Sequence, residues 1–217
     1  ISGVATNTYN FDSYATAANI DYALIRPYDA SSYIADVSGD KYLSFRTRVV
    51  KSAPNHFVAL HNPGANNRCV RFSYTPTISN AVAGVAIKLK ESQTVYSVYM
   101  YGPTGPSFPN TIQVFNSTIN NSIGNLSYTF PANTTRYLAA CAIADTLEIF
   151  DSPNGNYYSS LFKTTIAGFS AFDGNVGVYC PPDGISQGSI FYDNVIVQNG
   201  LDDILDYDLM FQQPANL

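Results

Sequence analysis

Short apolar stretches closed by Gly- or Pro-containing breaks constrain this chain more than any other feature. The stretches are rich in Val, Ile, Tyr and Phe: Tyr42–Val50, His56–His61, Cys69–Tyr74, Gly84–Leu89, Thr94–Tyr101, Ile112–Phe115, Arg136–Ala144, Thr146–Asp151, Asn175–Cys180 and Ser189–Gln198. Between them lie "NPGANN" (Asn62–Asn67), "GPTGPSFPN" (Gly102–Asn110), "DSPNGN" (Asp151–Asn156) and "PPDG" (Pro181–Gly184). Many short strands separated by turn signals predict an all-β antiparallel sandwich or barrel. "KYLSFRTRVV" carries the clearest alternation. Tyr42, Ser44, Arg46, Arg48 and Val50 fall on one side and Leu43, Phe45, Thr47 and Val49 on the other, as expected for a strand with one packed and one wet face.

Composition narrows the function classes. Charged residues make up 12 % of the 217, about half the usual share, so Asn, Ser, Thr and Tyr must cover much of the surface. That favours an extracellular or assembled protein. The formal net charge is −5 with 11 Lys and Arg, which argues against a phosphate-neutralising patch and hence against nucleic-acid binding. No apolar run is long enough to span a bilayer. The chain opens at Ile1 with neither Met nor a positively charged leader, so a mature or trimmed start is expected.

The three cysteines, Cys69, Cys141 and Cys180, match no zinc or redox spacing. Two readings stand. Either Cys141 and Cys180, both in strong strand candidates, form a disulfide, or all three are buried thiols acting as small hydrophobes. One domain over residues 1–200 is expected, with no internal repeat. The tail "LDDILDYDLMFQQPANL" (Leu201–Leu217) is set apart by its Asp residues among Leu and Ile. Its apolar spacing permits a short amphipathic helix or an extended docked segment.

From Arg136 the order of features is familiar. "RYLAACAIADTLEIFDSPNG" reads as a strand, a tight turn at Ala144–Asp145 and a partner strand; "FDGNVGVYC" and "SIFYDNVIV" follow, and "NTYNFDSY" opens the chain. This succession resembles the concanavalin A-like jelly-roll superfamily, including laminin-G-like and carbohydrate-binding modules. The resemblance implies a jelly-roll β-sandwich whose first and last strands lie side by side. It also implies that Asp12 of "NFDS" approaches Asp193 and Asn194 of "YDNV", where several such modules hold a structural calcium between carboxylates. The alternative is that Asp193 and Asn194 form a β-bulge or cap local backbone groups.

Catalysis is not expected. Glycosidases use two suitably spaced carboxyl groups. The only glutamates, Glu91 and Glu148, are far apart and belong to no glucanase-like cluster. His56 and His61 fall on opposite faces of one strand, and no nucleophile elbow, zinc motif or phosphate loop is present. Glycan binding is the expected role. Tyr99 and Tyr101 would form a stacking strip on one strand face, and Tyr157 and Tyr158 a loop pair, although tyrosines equally fill core edges and cross-strand pairs. Sequons at Asn116, Asn120, Asn125 and Asn133 mark a loop-rich, solvent-facing stretch able to carry glycans. The second reading is a self-assembling extracellular subunit. There "ISGVATNTY" and the tail would contact neighbouring copies, and the Tyr-rich, Lys- and Glu-poor surface would suit an interface.

Overall fold

A computed structural model describes residues 6–14, 25–27, 32–45, 56–60, 68–78, 81–90, 93–101, 109–116, 121–171, 175–180 and 190–199. The tail and the first five residues, the breaks "NPGANN" and "PPDG", His61, Glu91, Asn120 and most of "GPTGPSFPN" lie outside the described residues.

The strands run β1 (Thr6–Tyr9), β2 (Ile25–Pro27), β3 (Ser32–Val37), β4 (Asp40–Phe45), β5 (His56–Leu60), β6 (Arg68–Pro76), β7 (Val82–Lys90), β8 (Gln93–Tyr101), β9 (Thr111–Asn116), β10 (Asn121–Ser127), β11 (Arg136–Ile143), β12 (Thr146–Ser152), β13 (Ser159–Thr165), β14 (Asn175–Cys180) and β15 (Ile190–Asn199). Two short 3-10 turns, Phe11–Ser13 and Phe169–Ala171, are the helical elements among the described residues.

All pairings among the described residues are antiparallel, in two sheets. The larger runs β13-β12-β11-β6-β15-β4-β3, with β1 also paired to β15. The smaller runs β10-β9-β8-β7-β14-β5-β2. The apolar faces of the two sheets form one core. Val70, Phe72, Tyr74, Leu138, Ile149, Tyr192 and Val197 come from the larger sheet, and Val85, Val98, Met100, Ile112, Val114 and Val178 from the smaller. The Tyr192 hydroxyl crosses the core and accepts the Gly84 backbone N–H of the other sheet at 3.0 Å. The core is thereby tied at a point where a buried hydroxyl needs a partner.

Sequence expectations hold for most of the strong strands, and the tight turn at Ala144–Asp145 is present, with Ala144 at φ 49°. Four strands needed the structure. β2 pairs with β5, β3 pairs with β4, β10 extends β9, and β13 closes the edge beside β12. Within the sequon-rich stretch β10 occupies Asn121–Ser127, and residues 128–135 beyond it form no strand. The outer face of β4 is also drier than the alternation implies. Ser44 is fully buried and donates to the Ile190 carbonyl at 2.8 Å.

The disulfide is Cys69–Cys141, not Cys141–Cys180. Cys69 and Cys141 stand opposite each other on neighbouring strands β6 and β11, with Cα atoms 4.1 Å apart. That distance belongs to a close cross-strand pair. Cys180 ends β14, in the other sheet. Cys141 belongs to a second cluster with Cys69, Ala139, Phe150 and Tyr158. This cluster covers the side of the larger sheet opposite the main core, because Ala139 and Cys141 alternate with the core residues Leu138 and Ala140.

Candidate functional site where the first and last strands meet

Asp193 and Asn194 form a β-bulge. In β15, Asp193 pairs with Ser73 and Ile196 pairs with Arg71, so two residues of β15 stand opposite Phe72 alone. Asn194 takes the left-handed conformation at φ 48°, which asparagine tolerates better than most residues. The extra residue resets the alternation. Tyr192 faces the core before the bulge, and Val195 and Val197 face it after. Without the bulge every side chain beyond Asp193 would sit on the wrong face. The Asp193 carbonyl is held by the Ser73 hydroxyl at 3.1 Å.

β1 pairs with β15 from Thr6↔Gln198 to Tyr9↔Val195, so the first and last strands lie side by side as the resemblance implies. The chain then enters the Phe11–Ser13 turn, capped by Asn10, whose side chain accepts the Asp12 N–H at 2.8 Å. Phe11 is buried and anchors the turn. A tight β3–β4 hairpin comes in alongside. Ser38 at φ 58° and Gly39 at φ 96° make its two-residue turn, the backbone geometry that matches strand twist.

Asp12, Asp40 and Asp193 therefore share one neighbourhood, with Tyr42 between them. Burial pushes the Asp193 carboxyl above the usual carboxylate range; the Asn194 backbone N–H opposes this, and Asp12 and Asp40 add to the rise. Burial likewise raises the Tyr42 hydroxyl, helped by Asp40, Asp193 and Asp12. Asp193 Oδ2 accepts the Asn194 side-chain amide at 3.1 Å, while Oδ1 is buried without a hydrogen-bond partner. Beside them the Tyr42 and Phe191 rings meet at 5.6 Å and 33°. Both are half-buried, and Asp12, Asp40 and Asn194 are exposed. The arrangement is an aromatic ledge rimmed by carboxylates and one amide.

Lys41 also enters the junction. Its backbone N–H donates to Asp12 Oδ1 at 3.2 Å, and its ammonium donates to the Asp12 carbonyl at 3.3 Å and to the Tyr14 carbonyl. Among the described residues, no group of three or more His, Cys, Asp or Glu side chains is arranged to hold a metal ion. The junction brings Asp12 and Asp193 together, with Asp12 Oδ1 and the Asp12 and Tyr14 carbonyls engaged by Lys41 and Asp193 Oδ2 by Asn194.

The other anticipated residues are dispersed. Tyr99 and Tyr101 lie in β8, between Gly84 and Val82 on one side and Gln113 and Thr111 on the other; their side chains lie outside the described residues. Tyr157 is 45 % exposed. Tyr158 is only 3 % exposed and packs into the disulfide cluster, so it is a core residue and not half of a loop platform. Asn125 and Asn133 are exposed, and Asn116 is partly buried at the end of β9. Glu148 is occupied: it accepts from Ser160 Oγ at 2.8 Å and pairs with Lys163 at 3.6 Å. A second polar group, Asp151, accepts from Arg136 and from the Tyr128 hydroxyl at 3.1 Å, which in turn meets the Tyr74 hydroxyl at 3.2 Å. It bonds β12 to β11 and to the chain after β10, a bracing role.

Tyr42 and Phe191 were not anticipated as a pair. Each reads as an outward strand aromatic, and only the β4–β15 pairing at Leu43↔Tyr192 brings them together.

No protein-family model and no curated protein matches this chain. Solved structures do. The carbohydrate-binding module CBM66 from Bacillus subtilis superposes with a TM-score of 0.57 at 12 % identity, covering 81 % of this chain and 95 % of that one. The catalytic domain of the glycoside hydrolase family 131 protein from Coprinopsis cinerea gives 0.56 at 17 % identity, covering 88 % and 92 %. The VIP36 exoplasmic/lumenal domain, solved with Ca2+ and Man3GlcNAc, gives 0.52 at 10 % identity, covering 80 % and 81 %. Together with the two antiparallel sheets and the paired terminal strands, these likenesses show that the chain has the concanavalin A-like jelly-roll fold.

Proposed function

We propose that this chain is a non-catalytic, extracellular carbohydrate-binding module whose glycan site is the Tyr42–Phe191 ledge. The ledge carries the reading. A sugar ring presents an apolar C–H face and an equatorial rim of hydroxyls. Paired aromatic rings suit the first, and Asp40, Asp12 and the Asn194 amide suit the second. Asp193 steadies that amide through its Oδ2. Tyr42, with its raised hydroxyl, stays a neutral donor at neutral pH. A buried cross-strand disulfide agrees with an oxidising compartment. Among the described residues no helix is long and apolar enough to cross a membrane. The only described glutamate, Glu148, is engaged with Ser160 and Lys163 and supplies no free acid.

The test is retention on a panel of immobilised glycans. Tyr42→Ala with Phe191→Ala should lower retention at least tenfold, the scale of about 1.4 kcal/mol, while circular dichroism stays that of the wild type. Unchanged retention would remove the ledge. Loss in Tyr99→Ala with Tyr101→Ala instead would move the site to the smaller sheet. Release of reducing sugar from a bound glycan would overturn the non-catalytic part of the proposal.

A further inference from the structure

Calcium gathers six to eight oxygens, typically carboxylates and backbone carbonyls. At the strand junction the oxygens of the Asn10–Tyr14 segment are turned elsewhere. The Asp12 carbonyl and the Tyr14 carbonyl both accept from Lys41 Nζ, and Asp12 Oδ1 accepts the Lys41 backbone N–H. One residue thus takes three oxygens that a metal shell would need.

Lys41 is well placed for this. It is the second residue past the β3–β4 turn, and that turn is pinned by the Gly39 N–H donating to Asp36 Oδ1 at 3.0 Å. The residue's backbone is fixed by pairing with Asp36 across the hairpin. An ammonium is a compact charge with three donors and no acceptor. Two of those donors span the turn after β1, one on the Asp12 carbonyl and one on the Tyr14 carbonyl.

We propose that the Lys41 ammonium is a built-in cation that replaces calcium at the junction of the first and last strands. The turn after β1 is then locked to the β3–β4 hairpin by a side chain that cannot dissociate. The junction needs no metal to hold its shape. This inference rests on the junction geometry and is independent of the glycan reading.

The test is calcium titration of the full chain by calorimetry, with melting in excess calcium chloride or in chelator. A true site at a hundredfold excess over its Kd would raise Tm by roughly 5–10 °C for a domain of this size. The expected result is no titratable calcium and a wild-type Tm equal in the two conditions to within about 1 °C. Lys41→Met should melt several degrees lower in chelator, and Lys41→Arg should recover part of that loss. Stoichiometric calcium binding by the wild type, or a calcium-dependent rise of its Tm, would overturn the proposal. So would a Lys41→Met variant that melts with the wild type. Should that variant fail to fold, the wild-type titration decides alone.

Discussion

The Cys69–Cys141 bridge offers the sharpest test of the fold. The two residues are 72 positions apart, so the bond closes a long loop in the unfolded chain. In the chain-entropy account, a loop of that length removes about 4 kcal/mol worth of freedom from the unfolded state at 25 °C. For a domain of this size each kcal/mol moves Tm by about 2–4 °C. Cys69→Ala with Cys141→Ala should therefore melt roughly 8–16 °C below the wild type. Both sulfurs are buried in the cluster with Ala139, Phe150 and Tyr158, so the lost packing adds to the drop. Melting alone does not identify the bond. A Cys141–Cys180 loop is a little over half as long, and the logarithmic dependence puts its effect within about 1 kcal/mol of the other. The deciding assay is peptide mapping without reduction, after alkylation in denaturant. Cys180 should carry the alkyl group, and the cross-linked peptides should contain Cys69 and Cys141. A cross-linked peptide containing Cys180 would refute the sheet register on which the fold rests. A double variant melting within about 3 °C of the wild type would refute the energetic reasoning.

Two further outcomes follow from local geometry. The Asp193 carboxyl is held above its ordinary range, first by burial. A raised folded-state value means that its stabilising contribution is present below the unfolded value, about 3.9, and is lost as pH rises through the folded one. Asp193→Asn should accordingly raise Tm at pH 7, and the advantage should shrink as pH falls toward about 4; a gap that does not change with pH would contradict this. Gly155 has φ +77°, and a Cβ there would stand 2.9 Å from the Tyr137 ring. Gly155→Ala should cost about 1–2 kcal/mol from the backbone alone, seen as a lower midpoint in urea at unchanged slope.

The strong strands were legible because their side chains do two jobs in strict alternation. In "KYLSF" the buried residue Leu43 and the outward residue Tyr42 can be told apart without coordinates. The turn at Ala144–Asp145 was legible because two strand-like runs leave it no more room. The polar strands were not. β10, "NSIGNLS", has little apolar alternation of its own and is a strand because β9 offers it a ladder of backbone partners. Tyr157 and Tyr158 are adjacent in sequence, yet one is exposed and the other buried, since neighbours in an extended chain face opposite ways.

The sequence by itself determined the class of fold and the strongly apolar segments that would be strands, and the resemblance brought Asp12 toward Asp193. Only the tertiary structure decided which cysteine joins Cys141, that Asp193 and Asn194 make a bulge, that Lys41 fills the junction, and that Tyr42 meets Phe191. The reason is physical. Strand alternation is written in neighbouring residues, whereas each of these outcomes depends on the register between strands that are distant in sequence. Register is a property of the assembled sheet.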